Sequence, residues 1–228
     1  MRRHNIALIP AAGVGARFGA GKPKQYVEIN GKTVLQHTIE IFEQHSRIDL
    51  IAVILSTEDS VFQTALSEKV RVFRVGGASR AETVRNGVSV LLEQGLAEAK
   101  DNILVHDAAR CCLPAEALTR LLDEAGENDE GGILAIPVAD TLKRSDGSHH
   151  IDETVARVGL WQAQTPQLFQ TALLHRALSV DDLSEITDEA SAVEKLGIRP
   201  RLVQGDTRNL KLTLPQDEYI VRLLLKAV

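Results

Sequence analysis

Much of what this 228-residue chain could be is narrowed by what it lacks. It has only two cysteines, and they are neighbours, Cys111 and Cys112. Adjacent cysteines suit neither an ordinary structural bridge nor a CxxC metal site, so a reducing, cytoplasmic setting is expected. Positive charge is not in excess: 26 Lys and Arg stand against 31 Asp and Glu, a formal net charge of -5. A molecule of that sign is no electrostatic match for a nucleic-acid backbone, and any anion it binds must meet a local cationic pocket. Long hydrophobic runs are missing as well. The first apolar stretch breaks at Pro10, too early for a signal peptide, and no other approaches the length that spans a membrane. Without repeats, low-complexity tracts or a linker, residues 1–228 are expected to form one domain.

What is present is strand alternating with helix. Short runs rich in Ile, Val and Leu occur at Ile6–Ile9, Leu50–Leu55, Val70–Val75, Ile103–His106 and Ile133–Val138. They lack strict polar alternation, as strands buried on both faces do. Thr33–Gln44 reads as a helix, and a second opens on Ser79-x-x-Glu82, the pattern of a capping box. Leu118, Leu121, Leu122 and Ala125 mark a third. Such alternation implies right-handed crossovers and a three-layer α/β/α sandwich on a mostly parallel sheet, with functional loops at the carboxyl ends of the strands. After Val138 the alternation fails. A turn at Ser145–Asp146–Gly147–Ser148 predicts a projecting hairpin, residues 139–162, either an oligomer arm or a plain surface insertion. His149–His150 falls at its tip and reads as part of a polar hairpin turn rather than a metal site. A helix near Leu173–Leu178, another after Thr187, a strand near Arg201–Val203 and a last helix from about Pro215 complete the chain.

The loop after the first strand, PAAGVGARFGAGKPKQY (Pro10–Tyr26), is crowded with glycine and cations. The dinucleotide pattern GxGxxG fails at Phe18, and the P-loop pattern GxxxxGK[ST] fails at Ala16 and Pro23. Taken as it stands, small Ala11, Ala12 and Gly13 let the backbone approach a nucleotide closely, and Arg17 and Lys24 bring two cations to its phosphates.

The same loop resembles the signature of nucleotidyltransferases that activate phosphorylated polyols and sugars. Six further segments resemble one family, the 2-C-methyl-D-erythritol 4-phosphate cytidylyltransferases of the non-mevalonate isoprenoid pathway. They are GGASRAETV (Gly76–Val84), VHDAAR (Val105–Arg110), PVADTLKR (Pro137–Arg144), RVGLWQAQTPQLF (Arg157–Phe169), TDEASAVE (Thr187–Glu194) and NLKLTLPQD (Asn209–Asp217). In that order they cover nearly the whole chain. The resemblance implies a Rossmann-like nucleotidyltransferase fold and cytidylyl transfer from CTP, with release of pyrophosphate. Ribitol 5-phosphate cytidylyltransferases share the fold and the loop and stand as the alternative, beside a nucleotide-binding module without turnover.

The resemblance also implies roles. Arg17 and Lys24 stabilise the α-phosphate under attack and the leaving pyrophosphate. Ala11, Ala12, Gly13, Gly77, Thr83 and Ala108 hold the nucleotide, with the Gly77 turn reading cytosine. Asp107 faces ribose or polyol hydroxyls, although an acid after a strand can equally be a helix cap. Arg157 and Lys211 grip the acceptor phosphate, with Thr141 and Thr165 adding hydroxyls. Because Arg157 lies on the arm, a homodimer sharing its sites is implied. Mg2+ is implied as well, held mainly by the CTP phosphates and not by protein ligands. Thr187–Asp188–Glu189 reads as a helix cap with favourable first-turn acids. Two positions depart from the family: Cys111 replaces a usual proline, which would loosen that turn, and Ala78 replaces a frequent acid, which leaves base contacts there to the backbone.

Overall fold

The computed structural model describes residues 2–13, 23–63 and 67–226. The chain begins with β1 (Asn5–Pro10) and, after a single 3-10 turn at Lys24–Tyr26, makes a small hairpin, β2 (Glu28–Ile29) and β3 (Lys32–Thr33). There follow α1 (Val34–Gln44), β4 (Leu50–Ile54), β5 (Val70–Phe73), α2 (Arg80–Glu93), β6 (Asn102–Val105), α3 (Ala115–Ala125) and β7 (Gly132–Pro137). Two of these helices start where side chains can satisfy their free N–H groups. Thr33 Oγ1 accepts the Gln36 N–H at 3.1 Å while Gln36 Oε1 accepts the Thr33 N–H at 2.7 Å. Ser79 and Glu82 form the expected box at α2.

Beyond β7 come β8 (Leu142–Ser145) and β9 (Ile151–Val155), which pair with each other as a separate two-stranded ribbon. Its tip is closed by Asp146, whose Oδ1 accepts the Ser148 and His150 N–H groups at 2.8 and 3.2 Å. The hairpin is therefore where the turn signal put it, but the strand after it was not anticipated. Residues from Trp161 onward belong to β10 (Trp161–Gln170), which runs antiparallel between β6 and β7 in the main sheet. Its inner half buries Gln164, Thr165 and Gln167, and the register shifts around Pro166. Polar residues and a proline at a bulge disguise an interior strand. The chain ends with α4 (Thr171–Leu178), α5 (Glu189–Glu194), β11 (Arg201–Gln204) and α6 (Asp217–Leu224). The last helix starts two residues after Pro215, because Asp217 Oδ2 accepts the N–H groups of Thr213 and Leu214, both at 2.8 Å, and closes a turn first.

The seven-stranded sheet has the order β11-β7-β10-β6-β1-β4-β5, with β10 its one antiparallel member among the described residues. Alternate residues of each strand feed two cores. Ala7 and Ile9 join Leu35, Phe42, Leu118 and Leu122 under α1 and α3. Ile6 and Leu8 join Val84, Val88, Leu174 and Val193 under α2, α4 and α5. That is the three-layer α/β/α sandwich expected. A third, smaller cluster sets Cys111 among Val27, Ile29, Leu212 and Val221, so this thiol is a packing group. No described helix is long and apolar enough to cross a membrane.

Helix α2 lies unusually close to the sheet at Gly87, where an added Cβ would come within 2.8 Å of Ile54 Cγ1 and 3.0 Å of Leu8 Cδ1. Gly87→Val should therefore lower stability by about 1–3 kcal/mol, the usual effect of overpacking a core. Urea denaturation checks this, and an unchanged midpoint would mean that α2 can lift off the sheet freely.

Candidate active site

Strand β1 has β4 as a parallel neighbour on one side and β6 on the other. The connections diverge from its carboxyl end, the position at which open α/β sheets take ligands. A cavity of about 470 Å³ opens there. Its walls are Ala11–Gly13 after β1, Lys24 and Gln25 on the 3-10 turn, Gly77–Arg80 and Thr83 at the head of α2, Asp107–Ala109 after β6, and Lys211 from the segment before α6.

The backbone around the cavity is fixed by side chains that already have partners. Gln25 is buried, and its Nε2 donates to the carbonyls of Ala11 and Gly13 at 3.0 and 2.9 Å, bracing the start of the glycine loop. The turn before α2 fits tightly against that loop. A Cβ on Gly76 would collide with Ala12 and come within 2.7 Å of the Leu55 carbonyl, so the close approach requires glycine. Gly77 N–H donates to Thr83 Oγ1 at 3.1 Å, and the Thr83 hydroxyl donates in turn to the Ser79 carbonyl at 2.9 Å. Ala78 N–H and Ser79 N–H both donate to Glu82 Oε2, at 2.7 and 3.3 Å.

The charges form a second framework. Asp107 Oδ1 accepts from Arg80 Nε at 2.9 Å, and Oδ2 pairs with Lys211 Nζ at 2.9 Å and Arg110 Nε at 3.4 Å. Burial works to raise the Asp107 pKa, but the surrounding cations, Arg80 and Lys211 foremost, outweigh it and hold the carboxyl well below the usual range. Arg80 is itself gripped by Glu189, with Nη1–Oε1 2.6 Å and Nη2–Oε2 3.1 Å. Burial disfavours the Arg80 charge, yet Glu189 and Asp107 together raise its pKa above the ordinary arginine value. Lys24 Nζ donates to the Leu212 carbonyl at 3.3 Å, one residue beyond Lys211. Leu212 N–H donates to the Ala109 carbonyl at 2.8 Å, which ties the C-terminal segment to the loop after β6.

Behind Asp107 lies a neutral relay. His106 is fully buried, and burial lowers its pKa to about 4 despite the hydrogen bond to the Arg110 carbonyl. A carbonyl can only accept, so Nε2 carries the proton toward Arg110 O at 2.9 Å, and Nδ1 accepts from the Thr165 hydroxyl at 3.0 Å. Thr165 Oγ1 then accepts the Asp107 N–H at 3.1 Å.

Of the residues expected from the sequence, Ala11, Ala12, Gly13, Lys24, Gly77, Thr83, Asp107, Ala108 and Lys211 line this one cavity. Thr165 lies beneath it, engaged with Asp107 and His106. Thr141 and Arg157 are exposed on the arm and do not line it, and Arg157 Nη1 donates to the Ala139 carbonyl. Arg17 lies outside the described residues. Asp188 caps α5 as its sequence suggests, and Glu189 lies in the first turn but is buried. It is 1% exposed and committed to Arg80. Arg80, Arg110, Gln25 and Glu189 were not foreseen as site residues. All four sit inside segments already noted: Gln25 in the glycine loop, Arg80 and Glu189 at helix starts, and Arg110 after a strand.

Comparison with known proteins matches these features to one group. A family model for 2-C-methyl-D-erythritol 4-phosphate cytidylyltransferase matches residues 5–227. A relative of that name from Neisseria meningitidis serogroup C is 70% identical, with all of both chains covered. One from Chromobacterium violaceum is 49% identical over 97% of this chain and 98% of its own. Among solved structures, a 4-diphosphocytidyl-2C-methyl-D-erythritol synthase aligns with a TM-score of 0.89 at 64% identity, covering 99% of this chain and all of that one. The Francisella tularensis 2-C-methyl-D-erythritol 4-phosphate cytidylyltransferase aligns with a TM-score of 0.82 at 32% identity over 97% and 99% of the two chains. With Ala11–Gly13, the Gly77 turn and the Asp107 cluster all carried on a matching sandwich, the chain belongs to the 2-C-methyl-D-erythritol 4-phosphate cytidylyltransferase family.

Proposed function

We infer that the chain transfers the cytidylyl group of CTP to 2-C-methyl-D-erythritol 4-phosphate, releasing pyrophosphate and forming 4-CDP-2-C-methyl-D-erythritol for isoprenoid precursor synthesis. The observation that carries this reading is the convergence of Lys24, Lys211 and Arg80 with the Ala11–Gly13 backbone on one cavity, in a chain 70% identical to a relative of that name.

The nucleophile is a phosphate oxygen that is already anionic near neutral pH, so no general base is required. The barrier lies in bringing one anion to the α-phosphate of another. Lys24 and Arg17 take up the charge that develops on the α-phosphate and the departing pyrophosphate, the kind of stabilisation that dominates such transfers. The donor set suits a divalent ion carried in on the nucleotide. Asp107, the carboxylate in the cavity wall, is already engaged by Arg80, Lys211 and Arg110. Ligands for Mg2+ then come mainly from the CTP phosphates. Bound there, the ion offsets charge on the phosphates.

Base choice follows from the Gly77 turn. The N–H groups of Gly77, Ala78 and Ser79 are all engaged by Thr83 and Glu82. A turn with its donors occupied discriminates through acceptors. Cytosine offers an amino donor where uracil offers a carbonyl, so the turn favours CTP over UTP. At the other end of the cavity Asp107 takes polyol hydroxyls and Lys211 the acceptor phosphate. Thr165 contributes by fixing the Asp107 backbone. Arg157 and Thr141 come from the arm of a second copy, so the working unit is a homodimer. The arm's apolar surface supports this: Val158 is 93% exposed and Ile151 67%, areas a second chain would cover.

With Mg2+ and 2-C-methyl-D-erythritol 4-phosphate, CTP should yield pyrophosphate and UTP much less. Release with ribitol 5-phosphate alone would overturn the acceptor. Lys24→Ala should cut the rate about 100-fold or more with the thermal melt unchanged, and near-normal turnover would remove its assigned role. Mixing Lys24→Ala and Arg157→Ala chains should restore activity that neither homodimer has. No recovery on subunit exchange would place Arg157 in its own chain's site.

A further inference from the structure

Glu189 is a buried carboxylate that no step above uses. Nothing local to α5 calls for it. Asp188 Oδ1 accepts the Ser191 N–H at 2.8 Å, and Ser191 Oγ accepts the Asp188 N–H at 3.2 Å, so the helix is already capped. Gln167 on β10 accepts the Ala190 N–H at 2.8 Å and donates to Asp188 Oδ2 at 2.8 Å, so the helix is already tied to the sheet. A carboxylate taken out of water is unfavourable unless paired. Its place is therefore decided by its partner, Arg80.

The pair has the parallel fork geometry that fixes a guanidinium in one orientation. Held by both Nη atoms, Arg80 has its Nε left for Asp107 Oδ1. Asp107 Oδ2 is thereby left to Lys211, with Arg110 behind. Charges alternate along Glu189, Arg80, Asp107 and Lys211, and the run ends in the cavity wall. The hydrogen bonds from Gln25 to Ala11 and Gly13 and from Gly77 to Thr83 involve none of these four side chains.

We propose that Glu189 is a positioning residue for the acceptor: by holding Arg80 with both oxygens, it leaves Asp107 Oδ2 free to set Lys211 at the cavity. This rests on the reading of Lys211 as the group that grips the acceptor phosphate. Without the Glu189 charge, Asp107 becomes the one carboxylate facing Arg80. The guanidinium turns its fork onto Asp107, and Lys211 loses the partner that orders it. The effect falls on the acceptor and spares the nucleotide.

Two-substrate kinetics on Glu189→Gln, which keeps the shape and removes the charge, tests this. KM for 2-C-methyl-D-erythritol 4-phosphate should rise about tenfold or more, while KM for CTP stays within about twofold. Val193→Ala, a core deletion on the same helix, should lower the melting temperature and leave the acceptor KM unchanged. If E189Q folds too poorly to assay, R80K, which keeps the charge and lacks the fork, should shift the same constant. An acceptor KM that is unchanged in an active E189Q enzyme overturns the proposal alone. So does an equal loss on both substrates, or a loss that V193A reproduces. A wild-type chain that makes no pyrophosphate from this substrate pair removes the underlying reading as well.

Discussion

The site depends on keeping one carboxylate, Asp107, ionised out of water. Its side chain is 10% exposed and accepts from Arg80 while pairing with Lys211 and Arg110. An unpaired carboxylate at that depth would take up a proton rather than stay charged. Here the cations reverse the preference, and the benefit is mutual. A pocket that must receive a triphosphate and a phosphomonoester needs several positive groups, and those groups repel one another while it is empty. Asp107 and Glu189 set two negative charges among Arg80, Arg110 and Lys211. Two carboxylates among three cations leave the cluster net positive, the sign that attracts an anion.

The members of that cluster come from distant parts of the chain. Arg80 heads α2, Asp107 and Arg110 follow β6, Glu189 opens α5, and Lys211 precedes α6. What holds these pieces in register is β10, the strand that runs against its neighbours. Thr165 on β10 accepts the Asp107 N–H, and Gln167, two residues on, binds the first turn of α5. Both side chains are buried polar groups with their hydrogen bonds made. Such groups specify a unique arrangement because a shifted register would leave them unpaired. Neutral His106 completes the set: its Nε2 proton must go to a carbonyl, so its Nδ1 must accept from Thr165, and Thr165 must face Asp107.

The same facts explain how much could be read in advance. Local signals were legible. The capping boxes at Thr33 and Ser79, the β-branched runs of β1, β4 and β6, and the turn at Ser145–Ser148 are written in neighbouring residues. The cavity floor was legible too, since Ala11–Gly13 and Lys24 follow the first strand. β10 was hidden because its inner half reads Gln-Thr-Pro-Gln, polar where a buried strand is expected to be apolar. Arg80 and Glu189 were hidden for a different reason. Their ion pair joins residues 109 positions apart, and each member sits in a helix-start motif whose local pattern is complete without the other. Cys111 was expected to loosen its turn in place of proline. Instead the turn is closed by the Arg110 N–H to Asp107 carbonyl bond at 3.0 Å and by the Leu212–Ala109 bond, and Cys111 fills the apolar gap beside Leu212.

The segment before α6 links two of the cations in the cavity wall. Lys211 forms a 2.9 Å ion pair with Asp107, and the carbonyl of the next residue, Leu212, accepts from Lys24 Nζ at 3.3 Å. The Leu212 N–H donates to the carbonyl of Ala109, two residues after Asp107, at 2.8 Å. Two neighbouring residues thus reach both the loop after β6 and the 3-10 turn. A buried ion pair stabilises only while its geometry is held, and the backbone bond to Ala109 helps to hold it. Displacing the segment would break the Asp107–Lys211 pair and the Leu212 bonds together. Asp107 is therefore fixed from the C-terminal segment as well as by Arg80 on α2 and Thr165 on β10.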